Sequence, residues 1–327
     1  MLETIFSFIN AAIIQSIPLL FGATGEIITE KSGNLNLGIP GIMYVGGISG
    51  IVGGYIYEHS VESTNAFLCV LISLLSSLAG SAVMSLIYSF LTTTLKANQN
   101  VTGLALTTFG VGVGNFFGGS LLKLFNESGS ISLINTGLAF KKSLPFADKL
   151  GIFGKTFLSF GFLAYAAIII AILASFIINK TRVGLNLRAI GENPATADAA
   201  GINVTKYKYL STLIGGMIAG LGGLYFVMDY TAGSWTNNGF GDRGWLAIAI
   251  VIFALWKPKS AILSSFIFGG LYIICVYIPG LSSSVKEIIK MLPYLVTVIV
   301  LIFISARKKK EHQPPQSLGL TYFREER

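Results

Sequence analysis

Charge is scarce in this chain: Asp, Glu, Lys and Arg make up 12% of its 327 residues, about half the share found in an ordinary soluble domain. That excludes a soluble fold. Histidine is nearly absent, and His59 and His312 lie outside the apolar runs and far apart, so no histidine-centred catalytic or metal site can be assembled from them. Cys69 and Cys275 stand alone in apolar segments without ligand spacing and read as small core residues. A phosphate-binding loop is missing too: Gly154-Lys155-Thr156 has its ending, but Lys149 occupies the place of the required glycine. The chain is therefore not expected to bind ATP or any other cofactor itself. No basic n-region or small-residue cleavage pattern precedes the first apolar run, which reads as a retained span. Nor do the apolar runs alternate with polar residues, as a transmembrane barrel would require; Ala164 to Ile178 is apolar almost throughout.

What the sequence has in abundance is apolar length. Hydrophobic residues make up 53% of it, and a bilayer core of about 30 Å needs roughly 20 of them in helix. The runs at 4–24, 39–57, 66–95, 101–121, 156–178, 209–228, 244–256, 260–279 and 287–305 predict an all-α integral membrane protein of about nine transmembrane helices. Residues 1–306 form the transmembrane domain and 307–327 a basic tail. With the C-terminus inside, the internal segments, among them a long cytoplasmic loop at 179–208 and the cluster Lys308 to Lys310, hold 15 of the 23 Lys and Arg. This favours an external N-terminus. One loop, 122–155, dissents with five lysines on the side assigned as external. The net charge of +8 gathers at the ends of apolar runs and so reflects topology, not nucleic-acid binding.

Two runs are abnormal. Gly244 to Trp256 is about 20 Å long at 1.5 Å per residue, too short to cross alone, and is expected to be a broken helix. Ile39 to Tyr57 carries Pro40, Gly41 and five further glycines. Each follows a full span and an Asn/Gly-rich approach, Asn34 to Gly41 and Asn237 to Gly244, entering from opposite sides. The placement fits an inverted repeat around a solute path, or else two glycine-rich loops alike by chance. Gly110, Gly114 and Gly118 on one helix face, and Gly216 with Gly220, read as close helix packing. Asn34, Asn36, Asn98 and Asn100 read first as caps and second as solute contacts, Trp235 and Trp245 first as interfacial belt residues, and Asp242-Arg243 as a loop ion pair.

The long internal loop contains Arg188-Ala-Ile-Gly191-Glu192-Asn193-Pro194-Ala-Thr-Ala-Asp-Ala-Ala200-Gly201-Ile202. Asn193 before Pro194 is a helix start and Gly201 a stop, framing a short Ala-rich helix that serves either as a capped connector or as a plug for a groove on another protein. This stretch closely resembles the coupling segment "RAxGENPxAAxxAGI" of permeases in the branched-chain amino acid, ribose and nucleoside importer superfamily. Glu30 to Gly41 resembles a second signature, "ERSGVVNIGLEG", most typical of the nucleoside branch, with Pro40 where that pattern has Glu. The likeness runs over nearly the whole chain.

The resemblance implies the permease subunit of an ATP-binding-cassette importer, not an enzyme, in the cell membrane. It would work with a cytoplasmic ATPase that consumes the ATP, a second homologous permease in a heterodimer, and an extracellular lipoprotein that delivers solute. Nucleosides are the first expectation for that solute; sugars and branched-chain amino acids are alternatives. A secondary transporter would need ionisable residues deep in the spans, where only Glu26 and Asp229, near span ends, present themselves. The coupling residues are then Arg188, Gly191, Glu192, Asn193, Pro194, Ala200 and Gly201. The solute path is expected between Asn34, Asn36 and Gly41 in the first half and Asn238, Asp242 and Trp245 in the second, with Asn100 also on it.

Overall fold

The computed structural model describes residues 2–124, 131–143, 151–307 and 313–323. In chain order the helices are α1 (Leu2–Glu30), α2 (Ile39–Ser60), α3 (Ala66–Ser89), α4 (Gln99–Leu124), α5 (Ile134–Phe140), α6 (Gly151–Phe157) and α7 (Phe162–Lys180). Then follow α8 (Arg182–Glu192), α9 (Pro194–Ala199), α10 (Val204–Tyr225), α11 (Arg243–Phe253), α12 (Pro258–Tyr277), α13 (Ser283–Lys290) and α14 (Leu292–Arg307). Single π turns extend α3 over Phe90–Thr94 and α10 over Phe226–Tyr230.

Among the described residues seven helices, α1, α2, α3, α4, α7, α10 and α12, are long and apolar enough to cross a membrane. The run expected from residue 156 starts as a span only at Phe162, because the backbone at Gly161 is extended and α6 ends before it. The last expected run is broken at Met291, where Pro293 brings no N–H for the carbonyl four residues earlier. It yields the short α13 and the 16-residue α14. The tail cluster Lys308 to Lys310 lies outside the described residues.

Small residues let the central helices approach backbone to backbone, which is how spans gain contact area when lipid is as apolar as Leu. A Cβ on Gly46 would lie 2.6 Å from Gly220 Cα, and one on Gly110 would lie 2.7 Å from Gly41 Cα. On α3 the stripe Ser73, Ser77, Ser81, Ser85 and Ser89 is fully buried. Ser81 and Ser85 hydroxyls donate to the carbonyls of Ser77 and Ser81 at 2.7 and 2.8 Å. Such back-bonding lets a hydroxyl face protein in the membrane without an external partner.

The expected half-helix is α11, of 11 residues. It runs alongside the second half of α1: Arg243 meets Gln15, Ala247 packs on Gly22, and the Trp256 indole donates to the Glu30 carboxylate. Residues 231–242 must therefore dip inward from one end before helix resumes. From the other end, residues 31–38 also turn inward, since the Asn36 amide donates to Glu26 Oε1 at 3.0 Å, one turn inside the end of α1. The two approaches converge where a Cβ on Gly244 would lie 2.5 Å from Pro40 Cα. α2 itself is an unbroken helix despite its glycines, with Pro40 in its first turn, where no N–H is needed. Because α1 and α10 are antiparallel, Gly25 beside Gly215 and Pro18 beside Gly222, these two span-and-approach units run in opposite senses.

Candidate functional site

Among the described residues, a place inside the bundle and another at its end each bring polar and aromatic chemistry together.

Inside, a cavity of about 300 Å³ opens between α2, the π turn after α10, residues 231–242 and the start of α11. Its floor is Met43, Gly47 and Gly223; its walls are rings. Trp235 stands edge-on to Tyr44 with centroids 5.1 Å apart, Phe240 edge-on to Phe226 at 5.1 Å, and Tyr230 stacks on Phe226 at 5.1 Å. Phe226 and Tyr230, four residues apart, share one helix face, and the π turn they bound is a departure from α geometry that recurs at functional sites. Gly114 and Gly118 of α4 leave room for the Tyr44 and Trp235 rings. The Tyr44 hydroxyl donates to Asn115 Oδ1 at 2.6 Å and accepts from the Asn238 amide at 2.7 Å, pinning the loop over the cavity.

Arg243 is buried in the lining of this cavity, with its guanidinium 4.5 Å above Phe226, 4.9 Å from Tyr272 and 5.4 Å from Tyr230. It is not the ion-pair partner of Asp242 that adjacency suggested. Its Nε donates to Gln15 Oε1 at 3.1 Å, and its Nη1 to the Phe240 and Gly239 carbonyls at 2.8 and 3.4 Å. The expectation for Trp235 is likewise corrected: it is 9% exposed, lines the cavity and donates its indole N–H to Asn237 at 2.9 Å, so it is not a belt residue. Tyr44, Phe226, Tyr230, Phe240 and Tyr272 were not anticipated. The density of rings between Tyr225 and Trp245 was the available signal, but rings in an apolar chain are ordinary core material.

At the end where α1 finishes, α8 and α9 form the expected element. The Asn193 side chain accepts from the Thr196 amide at 3.0 Å and caps α9, with Pro194 in the first position. Gly201 adopts φ +82°, with its amide donating to the Asp198 carbonyl at 2.9 Å and the Ile202 amide to Ala197 at 3.0 Å, the paired bonds of a glycine stop. Ile190, Ala197 and Val204 bury against one another, while Glu192, Ala199 and Ala200 are exposed. Arg188 is half-buried with no partner for its Nε. A Cβ on Gly191 would run into the Lys31 carbonyl. Burial pushes the Lys31 ammonium below its ordinary range, with Glu192 opposing the shift. The tail folds back over this element. Ser317 donates from its amide and hydroxyl to the Gly191 carbonyl at 2.9 and 2.6 Å. The Gly319 amide reaches Gly33, Gln99 reaches the Leu320 carbonyl, and the Tyr322 hydroxyl reaches Asp198 at 2.8 Å.

The residues expected on the solute path are distributed between these places. Asn34 is buried and donates to Thr212 Oγ1 at 3.0 Å; Asn36 is buried, and its Oδ1 accepts from the Gly38 amide at 2.9 Å, while its Nδ2 has no partner. Gly41 packs against α4. Asn100 is exposed in the first turn of α4, which Asn98 caps. Asn238 is exposed and accepts from Asn115 at 3.1 Å, Asp242 is exposed before α11, and Trp245 is half-buried within it. The two approaches meet through Pro40 and Gly244, while Asn34 and Asn238 bond across the halves to Thr212 and Asn115 and not to each other.

The chain matches the family described as branched-chain amino acid transport system, permease component, over residues 8–304. It is similar to the nucleoside ABC transporter permease protein NupC of Lactococcus lactis, 32% identical over 88% of this chain and 89% of that one. It is also similar to the guanosine ABC transporter permease protein NupQ of Bacillus subtilis, at 28% over 98% and 97%. A third relative is the putative glucose ABC transporter permease protein TsgC13 of Haloferax volcanii, at 28% over 97% of both chains.

Proposed function

Because this chain belongs to the family of branched-chain amino acid transport system permease components, we propose that it is the multi-pass membrane subunit of an ATP-binding-cassette importer that carries nucleosides. ATP is consumed by a partner ATPase. The names of the nucleoside and guanosine permeases similar to it support that solute class. The observation that carries it is the ring-lined cavity: a nucleoside is a flat base on a neutral polar sugar, and Trp235, Tyr44, Phe226 and Phe240 offer faces and edges to the base. The flanking Asn238, Asp242 and Trp245 serve the outer approach, whereas Asn34, Asn36, Gly41 and Asn100 line the exit.

Coupling falls to Arg188, Gly191, Glu192, Asn193, Pro194, Ala200 and Gly201. The exposed side of α8 and α9 docks on the ATPase, and the buried side, through Gly191 against Lys31 and Ser317, passes displacement to the inward turn at 31–38 and so to the junction of Pro40 with Gly244. The end carrying α8, α9 and the tail is cytoplasmic, a second homologous permease completes the path, and a lipoprotein delivers solute on the far side. A partner can shift only an equilibrium that it binds differentially, so ATP-driven movement of α9 must favour one arrangement of that junction.

The test is uptake of labelled nucleosides, glucose and branched-chain amino acids by cells expressing the assembled importer. Nucleosides should be taken up, and Trp235→Ala should lower their uptake about tenfold, given roughly 1 to 3 kcal/mol per stacked base. Uptake of glucose alone, which the Haloferax relative's name would favour, would overturn the nucleoside assignment.

A further inference from the structure

Among the described residues Arg243 is the one charged residue bordering the aromatic cavity, and no carboxylate among them shares that lining. Its place is heavily determined: the residue is 6% exposed, Nε is held by Gln15, Nη1 by the Phe240 and Gly239 carbonyls, and the plane by three rings. Nη2 donates to no described residue, and it is not among the buried atoms sealed without a partner. A guanidinium fixed on two nitrogens keeps its third, with two hydrogens still to place, as the donor available where Arg243 lines the cavity. Leaving a cationic donor unmatched in a low-dielectric site is costly, so an occupant with an acceptor at that point is favoured over one without.

Resting on the nucleoside reading above, we propose that Arg243 is a specificity-determining residue that favours 6-oxopurine nucleosides, guanosine and inosine, over adenosine. The O6 and N7 acceptors of a 6-oxopurine lie side by side on one edge, the pair that arginine donors match in base recognition. Adenine replaces O6 with an amino group, which turns two hydrogens toward a cation and leaves Nη2 with N7 alone. With the base among the rings of the cavity and this edge toward Arg243, the ribose lies toward the exposed loop residue Asn238. Stacking is common to all bases; the arginine adds the difference.

The experiment is competitive uptake of guanosine and adenosine by the complete importer, comparing wild type with Arg243→Gln and Arg243→Lys. The binding protein is the same in all three, so its preference cancels when ratios are compared. The guanosine-to-adenosine uptake ratio should fall about tenfold in Arg243→Gln, equivalent to about 1.4 kcal/mol. Arg243→Lys keeps the charge but cannot hold Gln15 and the loop carbonyls while donating into the cavity, so its ratio should also fall. Co-purification with the ATPase checks assembly, and if Arg243→Gln fails to assemble the lysine variant decides. An unchanged ratio in variants that transport nucleosides would overturn the role of Arg243 alone. Absence of any nucleoside uptake by wild type would overturn the nucleoside reading and this proposal with it.

Discussion

Replacing Ser317 with Ala should release the tail from α8 without unfolding either. The serine is 6% exposed and makes three bonds to the last carbonyls of α8: the amide to Gly191 at 2.9 Å, and the hydroxyl to Gly191 at 2.6 Å and Ile190 at 3.2 Å. Those carbonyls lie in the final turn of a helix, where intrahelical donors have run out, so Ser317 caps α8 from a distant part of the chain. Alanine keeps the amide bond and loses both hydroxyl bonds. A hydroxyl bond contributes about 0.5 to 1.5 kcal/mol, and a buried acceptor left unpaired costs about 1 to 3 kcal/mol, so the docked tail should be weakened by about 1 to 3 kcal/mol. Since about 1.4 kcal/mol is tenfold, the undocked fraction rises somewhere between about fivefold and a hundredfold. Hydrogen exchange of residues 313–323 in lipid nanodiscs reads this directly. Exchange should speed up by that factor in the tail and in Gly191 to Gly201, and stay constant in α1 and α10. Equal tail exchange in variant and wild type would mean that the hydroxyl bonds do not hold the tail, and that the link from α9 through Ser317 to residues 31–33 is not mechanical.

Asn193→Ala removes the side chain that caps α9 and should cost about 1 kcal/mol of local stability, visible as faster exchange of Thr196 and as weaker stimulation of the partner's ATP hydrolysis by solute. Gly201→Val should impair coupling further because its φ of +82° disfavours a branched side chain, although no atom stands within 4 Å of the added Cβ. Gly46→Val should separate α2 from α10, since its Cβ would lie 2.6 Å from a backbone atom that cannot step aside. A loss of about 1 to 3 kcal/mol is expected, measured as a lower midpoint of thermal unfolding in detergent, and a midpoint equal to wild type would show that the two helices do not approach this closely.

Local rules carried a good part of the architecture. Backbone groups in hydrocarbon must pair within their own segment, so length and hydropathy alone place the seven long helices, and the shortness of Gly244 to Trp256 alone forecasts α11. The Asn193, Pro194 and Gly201 signals describe α9 because capping depends on residues a few positions apart. Phe157 to Phe162 and Met291 show where hydropathy misleads: an apolar run continues through both, while an extended glycine and a proline interrupt the helix.

The cavity and the tail contact were decided by residues distant in sequence. Nothing local distinguishes Tyr44 or Phe226 from the other rings of this chain; they become a site only because glycines let α2, α4 and α10 close to backbone contact and bring these rings around one cavity. Arg243 follows Asp242 in sequence, but its partners are Gln15, more than 200 positions away, and carbonyls of its own loop. Ser317 caps a helix from 126 positions away. Sequence by itself determined the long apolar helices, the caps of α9 and which family the chain resembles, because these depend on near neighbours and on transfer from water to lipid. Which side chains share a cavity depends on how the helices cross, and that was decided by three-dimensional packing.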